Sequence, residues 1–168
     1  MEDAYDFTTL EVLGIAIKSE IDAVRLYTRM KEKVEGEDLK EKMDFLISQE
    51  KKHETMLKSV YEKKFPQVKL ALPPKSVVPM IDEVLGKDSN LKELFDAGMK
   101  AERLAEVFYS DLAGKTNDAR AKSVLMYMAN MEQSHYSILK AEWSQIERLK
   151  TGEASQYLES DGLMFFGP

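Results

Sequence analysis

SQEKKHETML, residues 48–57, sets His53 three positions after Glu50, with Leu57 four positions after the histidine. NMEQSHYSIL, residues 130–139, repeats the pattern with Glu132, His135 and Leu139, and these two histidines are the only ones in the chain. Glu50 and Glu132 stand 82 positions apart, as do His53 and His135. Glu20 and Glu102 share that offset in SEIDAVRLY and AERLAEVFY, and Tyr27 and Tyr109 each follow their glutamate by seven residues. One offset running through every matched pair means that the chain is two copies of one helical hairpin.

Hydrophobic periodicity places four helices around these motifs. In residues 8–34, Val12, Leu13, Ala16, Ile17, Val24 and Tyr27 recur at helical spacing, and Thr8 or Thr9 can cap the start. Beyond Gly36, residues 38–63 carry Leu39, Met43, Leu46, Ile47, Met56, Leu57 and Val60 on one stripe. The short turn between helices 1 and 2 makes them antiparallel neighbours. FPQVKLALPPKSVVPM, residues 65–80, then holds four of the five prolines, each of which removes a backbone donor and restricts the residue before it. Residues 65–90 therefore read as a connection, with a short helix at 81–85. It is long enough to travel the length of a bundle, so helix 3 can run parallel to helix 2. Ser89 or Asn90 caps helix 3 at residues 91–112, GKTND ends it, and helix 4 follows at 118–149.

The domain reading is one bundle over residues 1–150 and a tail over 151–168. That tail ends in GLMFFGP, whose Leu163, Met164, Phe165 and Phe166 form an apolar cluster expected to pack on the bundle or on a second subunit of a homodimer. Composition agrees with an all-α domain: 168 residues, 43% hydrophobic, with only 8 glycines and 5 prolines. The absence of cysteine excludes disulfides, Cys-ligated metal and a thiol nucleophile. A net charge of −6 with interspersed lysines argues against nucleic acid as a partner. No run of about 18 apolar residues suggests a membrane span and MEDAYDF lacks a signal-peptide pattern, so a cytoplasmic location is expected.

Residues three or four apart share a helix face, so Glu50 and His53 point together, as do Glu132 and His135. Each pair lies on an apolar stripe: Met43, Leu46 and Leu57 flank the first, and Leu125, Met128 and Leu139 the second. Glu20 and Glu102 interrupt the stripes of helices 1 and 3 in the same way. Four glutamates and two histidines thus converge on one interior level, where an uncompensated carboxylate costs several kcal/mol or takes up a proton. Two divalent cations balance four carboxylates, and mixed carboxylate and imidazole ligation suits iron or manganese, with zinc also possible. A lone Glu-x-x-His pair is ordinary on a solvated helix; duplication in matched register is what separates this chain from that reading. Tyr27 and Tyr109 also fit a plain core role with their hydroxyls paired.

A glutamate on each of two helices and a Glu-x-x-His pair on each of the other two resembles the pattern of ferritin-like di-iron bundles. The chain resembles rubrerythrin-type members in particular, through E-x6-Y in both SEIDAVRLY and AERLAEVFY, and through EKKH and EQSH. The resemblance implies a ferritin-like four-helix bundle with a long crossover between helices 2 and 3. It implies two iron ions, with Glu20 and Glu102 each binding one, Glu50 and Glu132 bridging both, and His53 and His135 completing one each. Tyr27 and Tyr109 would donate hydrogen bonds to ligand carboxylates. Two departures stand out. The extra glutamate that rubrerythrins usually carry three residues after the helix 3 ligand is Ala105 here, with Glu106 one position later. The cysteine-ligated iron domain that delivers electrons in many members has no counterpart in a chain without cysteine.

The function this implies is a di-iron oxidoreductase that reduces hydrogen peroxide or O2, its electrons coming from a separate donor protein. Two other readings are open: a ferroxidase or iron-handling protein in which Fe(II) is substrate, and a bundle whose metal only stabilises it.

Overall fold

The computed structural model describes residues 8–74, 76 and 88–151. The expected helix at 81–85 and the tail from 152 lie outside them. Four helices make up the described chain: α1 (Thr9–Lys33), α2 (Glu37–Lys64), α3 (Leu91–Lys115) and α4 (Ala119–Thr151).

Local chemistry explains where they begin. At α1 the Thr8 hydroxyl accepts from the Glu11 amide while the Glu11 carboxylate accepts from the Thr8 amide. Asn90 and Glu93 repeat this reciprocal arrangement at α3, so two otherwise orphaned amides are satisfied at each start. Between α1 and α2 the chain reverses at Gly36, whose φ of 85° a residue with a Cβ rarely adopts. Helix α3 runs three residues past the expected Leu112. Its end comes at Thr116, whose amide donates to the Leu112 carbonyl, and Gly114 stays helical.

α1 packs on α2, α3 on α4, and α1 on α3. Tyr27, late in α1, reaches Glu102 at the middle of α3, whereas Tyr109, late in α3, reaches Glu20 at the middle of α1, so these helices are antiparallel. With both hairpins antiparallel, α2 and α3 run parallel, as the long connection allows. The first part of that connection lies on α1, where a Cβ at Gly14 would sit 3.5 Å from the Ala71 carbonyl oxygen and 3.6 Å from Pro73 Cδ. Ion pairing of Lys42 with Glu142 and stacking of His53 on His135 set α2 antiparallel to α4.

The apolar core is divided in two. Leu26, Met30, Met43, Leu46, Phe95 and Trp143 belong to one cluster; Ile17, Leu57, Tyr61, Met128 and Ala129 belong to the other. In every helix the polar residues singled out by the repeat fall between members of the two clusters, so the clusters close a buried polar layer from both sides. One expected core position is corrected. Val60 is exposed, and Tyr61 is buried in its place, its hydroxyl 3.4 Å from the Lys69 carbonyl oxygen. From Leu57 both three and four steps stay near one face, and the four-step choice is the one that meets Phe65. No helix among the described residues is long and apolar enough to cross a membrane.

Candidate metal centre

All six residues marked by the repeat are at most 2% exposed, so each helix delivers its polar groups to the same interior layer. His53 Nδ1 lies 3.2 Å from Glu50 Oε2, 3.3 Å from Glu20 Oε2 and 3.3 Å from Glu132 Oε1. His135 Nδ1 lies 2.8 Å from Glu50 Oε1, 3.3 Å from Glu132 Oε2 and 3.7 Å from Glu102 Oε2. The two rings stack with centroids 5.6 Å apart and planes 24° from parallel.

These contacts sort into two groups. Glu20, Glu50, His53 and Glu132 offer ligand atoms within 4.8 Å of one another, and so do Glu50, Glu102, Glu132 and His135. A first-row divalent ion with ligands about 2 Å away fits inside such a span. Glu50 and Glu132 belong to both groups, so one oxygen of each can serve either side. Among the described residues no further carboxylate or imidazole joins either group.

The tyrosines contribute across the hairpins. Tyr27 O–H donates to Glu102 Oε1 and Tyr109 O–H donates to Glu20 Oε1, which fixes one oxygen of each carboxylate and leaves Oε2 facing an imidazole. Sequence spacing placed each tyrosine seven residues from a glutamate of its own helix. The antiparallel pairing of α1 with α3 instead gives each tyrosine the glutamate of the other repeat. Ala105 packs against the second apolar cluster. Glu106 pairs outward with Arg103 at 2.6 Å and supplies no carboxylate to the layer.

Proton chemistry in the metal-free layer follows from its crowding. Burial opposes charge on His53, but Glu132, Glu20 and Glu50 outweigh it and push the imidazolium up to about 12. His135 is likewise pushed up to about 12, with Glu102, Glu132 and Glu50 overcoming its burial. Burial, followed by the charge of Glu132, holds Glu20 and Glu102 well above the usual carboxylate range. Glu132 is also penalised by burial, yet His135 and His53 bring it down to about 2. For Glu50, burial and Glu132 act upward, and the two histidines hold it below its ordinary value. Burial above all pushes the Tyr109 hydroxyl upward, so it remains a donor.

The same crowding leaves seven buried atoms without a hydrogen bond: both oxygens of Glu50, Oε1 of Glu132 and all four imidazole nitrogens. Orphaned buried polar atoms are rare because each forfeits its solvation. Once deprotonated, these facing atoms offer the lone pairs that a metal ion satisfies, and the donor set of carboxylates and imidazole matches iron, manganese or zinc.

An all-α crossover bundle with this buried glutamate and histidine layer defines a ferritin-like protein equipped to hold metal. The family model described as Rubrerythrin matches residues 11–143, and the chain belongs to that family. Among solved structures, a hypothetical protein from Pyrococcus furiosus is 34% identical, with a TM-score of 0.76, covering 88% of this chain and 96% of that one. CopM in its Cu(I)-bound form is 15% identical, with a TM-score of 0.67, covering 83% of this chain and 97% of that one, a likeness of fold. No curated protein matches the chain significantly.

Proposed function

We propose that the chain is a di-iron oxidoreductase that reduces hydrogen peroxide or O2 with electrons from a separate donor protein. The observation that carries this reading is the sharing of Glu50 and Glu132 between two four-residue groups, an arrangement suited to two adjacent metals. Glu20 and His53 would complete one ion, and Glu102 and His135 the other. Two bound irons would supply, in reduced form, both electrons needed to take hydrogen peroxide and two protons to two waters.

The protein's own part is positional. Tyr27 and Tyr109 hold Glu102 and Glu20 by one oxygen, so the free oxygen keeps its direction while the charge in the layer changes. Glu50 and Glu132 carry no such hydroxyl tether and can move between the two groups. The apolar clusters on either side exclude water and keep the oxidant's chemistry away from other side chains.

The test is a single turnover. Iron-loaded protein is reduced anaerobically and mixed with one equivalent of peroxide or O2, and absorbance is followed. Faster reoxidation by peroxide, with iron retained over repeated cycles, is the expected result. Iron oxidised beyond two ions per chain and then released would instead make Fe(II) a substrate. Metal that reacts with neither oxidant would leave a bundle only stabilised by its metal.

A further inference from the structure

The two hairpins match inside the bundle but not on the surface above the metal layer. At the offset of 82, Arg103, Tyr136 and Lys140 of the second hairpin correspond to Ile21, Glu54 and Lys58 of the first. In the first hairpin Lys58 donates to Glu54 at 2.5 Å, so that face carries a neutralised pair and an isoleucine. In the second, the Arg103 guanidinium lies 5.0 Å from the Tyr136 ring centroid and Lys140 Nζ lies 5.9 Å from it. Arg103 is held by Glu106 yet its side chain stays 54% exposed, and Lys140 is exposed. Arg103 and Lys140, with Glu106 the acid on Arg103, thus flank a half-buried tyrosine on a chain of net charge −6. Tyr136 directly follows His135 and Arg103 directly follows Glu102, so this surface is the outer side of the metal layer.

Resting on the reading above that electrons arrive from outside, we propose that this α3–α4 face docks an acidic one-electron carrier protein. Carboxylates of the carrier pair with Arg103 and Lys140, and its redox group seats over Tyr136, one peptide link from His135. Charge complementarity of this kind steers encounter and sets register, and a tyrosine ring gives a rigid contact beside it. Two clustered cations are too few to track a nucleic-acid backbone. Each docking oxidises one carrier by one electron, and two dockings with two protons reduce one peroxide to two waters.

Flavodoxin, an acidic one-electron carrier, serves as the probe. Its binding to the metal-free chain is measured by calorimetry, and its electron transfer to the iron-loaded chain by stopped flow. Wild-type binding should weaken about tenfold from ~20 to ~200 mM salt, and Arg103→Glu with Lys140→Glu should weaken it about tenfold at low salt. Lys58→Glu, the matched change on the first hairpin, should stay within about twofold. Lys140→Glu alone alters an exposed position and should still weaken binding several-fold, which separates docking from any folding defect of Arg103→Glu. Transfer from reduced flavodoxin should slow in the same order. No saturable binding by wild type, or equal weakening by Lys58→Glu, would overturn the docking face. Dithionite-reduced wild type that ignores both oxidants would remove the oxidoreductase reading instead, whatever the binding to the metal-free chain shows.

Discussion

Loading the metal-free bundle with two divalent ions at pH 7 should expel protons, and the layer fixes how many. Both imidazoles are held as imidazolium by the carboxylates they face, with values pushed up to about 12. Glu20 and Glu102 are raised by burial and keep their protons, while Glu132 at about 2 and the lowered Glu50 are charged. The six side chains then sum to zero, two imidazoliums against two carboxylates. Metal needs the lone pairs of all six, so two imidazoliums and two carboxylic acids release one proton each, four positive charges leaving as four arrive. About four protons per chain are expected, and about two if only the imidazoliums contribute. Isothermal titration with Mn2+ in buffers of different ionisation enthalpy reads this number directly. Four protons for two ions also means that the apparent constant for each ion rises about a hundredfold per pH unit near neutrality. Release of less than one proton per chain would refute the reasoning, because the imidazoles would then be neutral before metal binds.

Further outcomes follow from the same layer. Because each imidazolium is raised in the folded chain from 6.5 to about 12, its stabilisation is whole below pH 6.5 and is lost as pH rises towards 12. Thermal scans of the metal-free chain should therefore show falling Tm from pH 7 to 10, while the metal-loaded chain should not follow. Tyr27→Phe strips the hydroxyl from Glu102 Oε1 and should cost about 1–3 kcal/mol in chemical denaturation with both metals retained. Loss of a metal in that variant would make the tyrosine more than a tether. Leu46→Ala empties a fully buried position of the first cluster and should cost about 2–5 kcal/mol by urea unfolding.

Much of this was legible in the sequence, because burial and periodicity are one-dimensional signals. The 82-residue offset located all six polar residues of the layer, and Thr8 and Asn90 announced the helix starts they cap. What escaped depended on how helices face each other. The exchange of tyrosine partners comes from the antiparallel seating of α1 on α3, which spacing within one helix does not encode. The choice of Tyr61 over Val60 was decided by the neighbours α2 meets near its end. Asp22 is 1% exposed although it lies off the expected stripe. Its charge is met by Lys18 at 2.5 Å and Arg25 at 3.3 Å on the same helix, a compensation that a hydrophobic pattern cannot register.

The decisive measurement is metal content per chain after expression with ample iron, by elemental analysis of wild type and four single variants. Two irons are expected in wild type, near zero in Glu50→Ala and Glu132→Ala because each serves both groups, and about one in Glu20→Ala and Glu102→Ala. One iron or none in wild type, or two retained in Glu50→Ala, would contradict a shared dinuclear centre.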